Sequence, residues 1–179
     1  MARKLIRNID LTLDRASLRN AIREIKAVQE ELVLGMNDLI QKLTKDGAEI
    51  AKMQVVSMDA VDTGELESSI YGFYEPQSRI GYVIAGAPHA IYVEFGTGII
   101  GAGEQHPMAA EARWEYDVNS HGLGGWVYRK GSSGIFSEPG KGEYRWTQGY
   151  IPRPFMYNTL RWLQEAAETV GAEIILKNM

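Results

Sequence analysis

Apolar residues between Leu18 and Ile50 recur in alternating steps of four and three: Leu18, Ile22, Ile25, Leu32, Met36, Leu39, Leu43 and Ile50, with Gln29 and Asp46 at the two remaining positions of the series. That period is a helical seam close to a heptad repeat, and Asp14 or Ser17 is placed to cap its first turn. A helix of about 35 residues is roughly 50 Å long, more than a compact domain of this size needs. Most of the seam is therefore expected to pack on a sheet, with an overhang left for another element or another subunit. After Met58 the period changes. Asp62-Thr63-Gly64-Glu65 reads as a turn with capping potential, and Ile70 to Tyr74 and Ile80 to Ala85 read as two strands joined across Pro76, Gln77 and Ser78. His89 to Phe95 fits either a short helical turn or a strand, and Gly96 punctuates its end.

Residues 96–150 hold most of the glycine, and long mobile loops are expected there, with one short helix between Pro107 and Tyr116. Trp126-Val127-Tyr128 and Tyr144-Arg145-Trp146 place aromatic residues at alternate positions, the pattern of a β-hairpin with cross-strand aromatic pairs whose tip is the Gly131 to Gly142 loop. Pro152-Arg153-Pro154 then opens a C-terminal helix with apolar positions Met156, Leu160, Leu163, Ala167, Val170 and Ile174. The predicted class is α+β: a long N-terminal helix and a C-terminal helix packed on a small antiparallel sheet, with long glycine-rich loops. The organisation is one domain over 1–179, divided into a long helix (1–57), a turn and hairpin (58–95), loops and an aromatic hairpin (96–150) and a C-terminal helix (151–179).

Composition supports a single domain, since 179 residues of which 45% are hydrophobic suffice for one core but not for two large ones. Cysteine is absent, which excludes disulfides, thiolate catalysis, iron-sulfur clusters and cysteine-based zinc sites. No apolar run approaches the ~20 residues of a membrane span and the first residues lack a secretory apolar stretch, so an intracellular product with no membrane partner is expected. Charge is unevenly spread, with net values of +2 over residues 1–57, −8 over 58–125 and +2 over 126–179. A nucleic-acid grip needs a concentrated basic footprint, and beyond Arg3, Lys4 and Arg7 the chain offers none, so no specific nucleic-acid binding is expected.

Three strings imitate enzyme motifs. Gly96-Thr97-Gly98-Ile99-Ile100-Gly101 matches the dinucleotide fingerprint by letter, but the fingerprint needs a strand before it, a helix after it and a βαβ unit around it, and Gly103 and Pro107 follow closely here. Asp62-Thr63-Gly64 matches the aspartic-protease signature in a single copy, which demands a homodimer, and Glu65 and Glu67 add charge where paired aspartates need an apolar surround. Gly134 to Lys141 has five residues between its glycines where a phosphate loop has four, and Gly142 stands in place of the magnesium-binding hydroxyl. His89, His106 and His121 stand apart, as loop or surface histidines, and Ser68 and Ser69 have no activating base nearby in sequence. No catalytic residue, metal ligand or cofactor is therefore assigned, with a homodimeric protease using Asp62 as the alternative.

Taken in order, three strings resemble one family pattern: Asp62-Thr63-Gly64-Glu65-Leu66, Ile91-Tyr92-Val93-Glu94-Phe95-Gly96-Thr97-Gly98, and Ile151-Pro152-Arg153-Pro154-Phe155-Met156. Their order and spacing look like the minor tail component family of tailed bacteriophages, described as tail-completion or head-tail joining proteins. The aromatic segment from Gly125 to Gly149 is similar to one that many members carry before the last string, and Pro152 stands where an alanine is more usual. The resemblance implies a non-enzymatic virion part that self-associates into a ring in the neck and meets other neck and tail proteins. Asp62, Thr63, Gly64, Leu66, Tyr92, Glu94, Phe95, Gly96, Thr97, Gly98, Arg153, Pro154 and Phe155 are the family-motif positions and candidate interface. Tyr92, Phe95, Arg153 and Phe155 are the expected anchors, with core packing as the competing role for the two phenylalanines. The acidic middle suits a channel wall that DNA does not stick to, with a solvated surface as the plainer alternative. A host-encoded adapter on the same scaffold is the remaining reading, which neighbouring terminase, portal and tail-tube genes would separate from a phage part.

Overall fold

Helix α1 (Arg15–Ser57) is 43 residues long, about 65 Å at 1.5 Å per residue, in a computed structural model that describes residue 12 and residues 14–116, 124–129 and 144–178. Asp14 starts it: the carboxylate accepts the backbone N–H groups of Ala16 at 2.8 Å and Ser17 at 2.9 Å, two donors that have no partner within the helix. The Thr12 hydroxyl also donates to Asp14, and this bond, followed by the two backbone bonds, holds the carboxyl below its ordinary value. At the other end Asp59 takes the left-handed conformation (φ 52°), so that the Ala60 N–H reaches back to the Val55 carbonyl at 3.0 Å and closes the helix.

A short helix α2 (Glu65–Ser68) leads into strands β1 (Ile70–Glu75) and β2 (Ile80–Ala85), which pair antiparallel with Ile70 opposite Ala85 and Phe73 opposite Tyr82. One face of this hairpin lies on α1 at Thr44. A Cβ at Gly81 would sit 1.9 Å from the Thr44 hydroxyl oxygen, and one at Gly72 would sit 2.6 Å from the Thr44 carbonyl oxygen, so glycine is what lets the sheet settle on the helix. Tyr74 Oη donates to Asn37 Oδ1 at 3.1 Å on the same side. Helix α6 (Phe155–Asn178) packs antiparallel along α1, its most extensive partner. Gly47 is opposed by Leu163 and Gly171 by Leu39, each helix advancing eight residues between the two contacts.

The core comprises Ala48, Ala51, Val55, Leu66, Ile70, Ala87, Ala90 and Phe155, flanked by Val83, Val93 and Met156. The α+β class and the two helices on a small antiparallel sheet are as expected, but the buried stripes are not the predicted ones. On α1 the buried residues are Ala21, Gly35, Thr44, Gly47, Ala48, Ala51 and Val55, while Leu43 and Ile50 are only half-buried. On α6 Phe155, Thr159 and Ala166 are buried and Leu160 and Ala167 are exposed. Where helix axes approach closely, small residues occupy the contact line and large aliphatics flank it, so a count of large apolar positions finds the neighbouring stripe.

Segment 90–116 is more regular than the glycine content suggests. Helix α3 (Ala90–Phe95) follows His89, so the ambiguous segment is a helix; helix α5 (Ala109–Ala112) is the short helix expected between Pro107 and Tyr116, and helix α4 (Gly98–Gly103) stands where the sequence predicts mobile loop. Strands β3 (Trp126–Arg129) and β4 (Tyr144–Thr147) form the predicted hairpin. Its register sets Trp126 opposite Thr147 and Val127 opposite Trp146, so no aromatic lies directly across from another and the expected cross-strand pairs do not form. Its tip, Gly131 to Gly142, lies outside the described residues, as does His121. A two-residue strand β5 (Gly149–Tyr150) bridges Thr97 and Gly98 antiparallel. Among the described residues no helix is long and apolar enough to cross a membrane.

Candidate functional site

The second and third motif strings meet at the start of α6, and Glu94 is the residue that joins them. The Pro154 carbonyl accepts the first helical hydrogen bond, from Asn158, so proline occupies the capping position and has no side-chain acceptor to offer the next N–H groups. Glu94 supplies it from α3. One carboxylate oxygen accepts the Met156 N–H at 2.8 Å and the other the Tyr157 N–H at 2.9 Å, from a side chain that is itself buried. Beside it, the Val93 carbonyl accepts the Arg153 N–H at 2.9 Å. A carboxylate at a helix N-terminus also meets the positive end of the helix dipole.

Glu94 has a third partner, His106, whose Nε2 lies 3.0 Å from Glu94 Oε1 with both side chains buried. The Met108 N–H donates to His106 Nδ1 at 3.0 Å, so Nδ1 is the unprotonated nitrogen and Nε2–H is the donor to Glu94. The His106 N–H donates to the Tyr116 hydroxyl at 2.8 Å. Aromatic rings wall the pair: Phe95 at 4.3 Å and Tyr157 at 5.6 Å from the imidazole centroid, and Trp114 stacked on Phe95 at 5.1 Å. Trp114 Nε1 in turn donates to the Gly96 carbonyl at 3.1 Å.

The glycines of the dinucleotide-like string serve this same junction. A Cβ at Gly96 would meet Pro152 N and the Tyr150 carbonyl oxygen at 2.7 Å, one at Gly98 the Gln148 carbonyl oxygen at 2.3 Å, and one at Gly149 the Thr97 carbonyl oxygen at 1.9 Å. Gly96, Gly98 and Gly149 also have positive φ angles of 74°, 63° and 105°. Two backbones therefore cross here with no room for side chains, and the string is preceded by helix α3 and itself forms most of the six-residue helix α4, not held in a βαβ unit.

The first string has a different place. Asp62 and Thr63 lie exposed on the turn before α2; the Thr63 hydroxyl accepts the Glu65 N–H at 3.3 Å, and Gly64 takes φ 79° to start the helix. Leu66, 3% exposed, enters the same core cluster as Phe155, which is fully buried. Phe155 is thus a core residue and not a surface anchor; Phe95 and Arg153 are half-buried, and Tyr92 is exposed. On the elements of the junction Ile91, Tyr92, Ile100, Met108 and Ile151 are each exposed.

His106 was expected to be a loop or surface histidine and is instead a buried partner of Glu94. A lone charged residue within the apolar run Ile91-Tyr92-Val93-Glu94-Phe95, together with a helix opened by a proline that lacks a capping side chain, is the sequence signal that could have found the remote cap, and sequence reasoning missed it. Nothing marked which residue would complete it. Among the described residues no group of three or more histidine, aspartate or glutamate side chains is arranged to hold a metal ion. Comparison with protein-family models, with curated proteins and with solved structures finds no match to the chain.

Proposed function

We propose that this protein is a structural part of a long-tailed bacteriophage or prophage virion, which completes the tail or joins tail to head as one copy in a neck ring. It acts by binding and is present in host cytoplasm only during assembly. The observation that carries the reading is the convergence of the three strings: Leu66 of the first and Phe155 of the third belong to one core cluster, and Glu94 of the second caps the helix that Phe155 begins. The order of the strings along the chain thereby has a physical reason, because each needs the others to form one rigid module. A ring part needs such a rigid module with an adhesive rim. Exposed Tyr92, Ile91 and Ile151 next to the junction supply apolar contact area, and the acidic residues of 58–116 supply a wall from which passing DNA is repelled.

The site geometry favours binding over hydrolysis. Asp62 stands on an exposed turn, without the enclosed apolar surround in which two aspartates share a proton, and the buried carboxylate, Glu94, is committed to three hydrogen bonds. The test is composition: tailed particles purified from the strain that encodes this chain should contain it, and antibody-gold labelling should place it at the neck. Particles that lack it after stringent washing would overturn the proposal.

A further inference from the structure

The outer face of the β1–β2 hairpin carries Tyr71, Phe73, Ile80, Tyr82 and Ile84, and the first four are 41% to 52% exposed. Phe73 and Tyr82 stack on each other at 6.2 Å. The inner face is equally apolar and lies on α1, so the strands Ile70-Tyr71-Gly72-Phe73-Tyr74 and Ile80-Gly81-Tyr82-Val83-Ile84 show no polar alternation. Strands of that composition are the ones buried on both faces. Among the described residues, no element of the chain covers the second face.

A matching cover exists at the far end of α1. Continued at the observed register, α6 ends level with Leu32, so residues 15–31 of α1 run beyond it, an overhang of about 25 Å. Leu18, Ile22 and Ile25 line one side of this stretch and are 44%, 54% and 56% exposed. Leu18 to Ile25 spans about 10 Å along the helix, enough to cross the two strands of the hairpin, which lie about 5 Å apart. The two surfaces are also opposite in net charge. The overhang carries Arg15, Arg19, Arg23 and Lys26 against Glu24, Glu30 and Glu31, a net of +1, whereas the hairpin and the helix before it carry Glu65, Glu67 and Glu75 against Arg79, a net of −2.

We propose that the α1 overhang of a second copy of this chain lies across the outer face of the β1–β2 hairpin, converting it into a sheet covered by a helix on each side. The two surfaces are different patches of one molecule, so the contact is head-to-tail, and such contacts propagate until they close on themselves. This deepens the ring reading by naming the surfaces through which copies meet, but it concerns self-association alone.

The absence of cysteine makes the test direct. Full-length chains carrying Ile22→Cys, Tyr82→Cys or both are treated with a short bifunctional thiol reagent. The double variant should give a covalent ladder that stops at a fixed size, an equimolar mixture of the single variants should give a dimer, and each single variant alone should stay uncrosslinked. Adding Phe73→Lys, a substitution at an exposed position that should leave the circular dichroism spectrum unchanged, should reduce the ladder to background. Dimers from Ile22→Cys alone would show that α1 overhangs pair with each other and would overturn the proposal. A chain that stays monomeric and uncrosslinked in every combination would overturn it too. A ladder obtained from a chain absent from virions would keep the contact and remove the phage assignment, so the two failures are distinguishable.

Discussion

Replacing Glu94 with alanine removes one side chain and strands three donors: the N–H groups of Met156 and Tyr157 and the Nε2–H of His106. Loss of a helix cap costs about 1 kcal/mol and up to ~2. Each buried donor left without a partner costs about 1–3 kcal/mol. Partial relaxation and entry of water prevent these from adding in full, so a loss of about 3–5 kcal/mol is expected, a large share of the ~5–15 kcal/mol that holds a domain together. At roughly 2–4 °C per kcal/mol for a chain of this length, the melting temperature falls by about 10–15 °C. Glu94→Gln, which keeps the shape and one acceptor oxygen, should lose about half as much. Urea unfolding followed by far-ultraviolet circular dichroism measures both. The decisive quantity is the coupling with His106→Ala: once Glu94 is gone the histidine is already unpartnered, so the double variant should be less destabilised than the sum of the singles by about 1–2 kcal/mol. A Glu94→Ala loss below about 1 kcal/mol, or strict additivity, would refute the view that this carboxylate organises the junction.

Gly149→Ala and Gly64→Ala separate crowding from backbone strain. At Gly149 a methyl group meets the Thr97 carbonyl oxygen and φ is 105°, for an expected cost of about 3 kcal/mol or more; at Gly64 φ is 79° but nothing lies within 4 Å, for about 1–2 kcal/mol. Equal losses on urea unfolding would count against the tight backbone crossing. Folding lowers the Asp14 carboxyl, first through the Thr12 hydroxyl, so its stabilisation of the first turn of α1 is present above the ordinary carboxylate range and is lost as pH falls through the lowered folded value. Hydrogen exchange at the Ala16 and Ser17 amides, corrected for intrinsic rates, should rise on acidification in the wild type and not in Asp14→Asn, which caps without titrating; an identical acid response in both would refute this. If the acidic segment lines a conduit, reversing Glu104 and Glu111, exposed acidic residues outside the proposed contact between copies, to lysine should slow DNA delivery while particles still assemble, and delivery at the wild-type rate would argue against a lining role.

Periodicity along the chain was enough to place α1, the β1–β2 hairpin and α6, because each is long or strongly patterned and its signal is local. It missed which stripe of each helix is buried. That depends on how closely α1 approaches Thr44's neighbours on the sheet and Leu163 on α6, distances that select glycine and alanine and that no single helix encodes. The glycines of 96–101 read as loop because their reason lies about fifty residues away, at Gln148, Tyr150 and Pro152, whose backbone they must admit. The site shows the same division. The motif strings were visible, but their partners were not: Glu94 meets His106 twelve positions on and the α6 amides about sixty positions on, and hydrogen bonds over such separations leave no periodic trace. Tyr92, Phe95 and Phe155 looked alike as aromatic anchors, yet topology sends one to the surface, one to the wall around His106 and one to the centre of the core.

Deletion of the gene, with the particles then viewed by electron microscopy, tests the assembly role most directly. Separate full heads and free tails, or tails of abnormal length, restored to joined virions by the wild-type gene, are the predicted result and would also show which end the protein serves. Normally joined, infectious virions from the deletion strain would contradict the account and return attention to Asp62 and a direct assay for peptide cleavage.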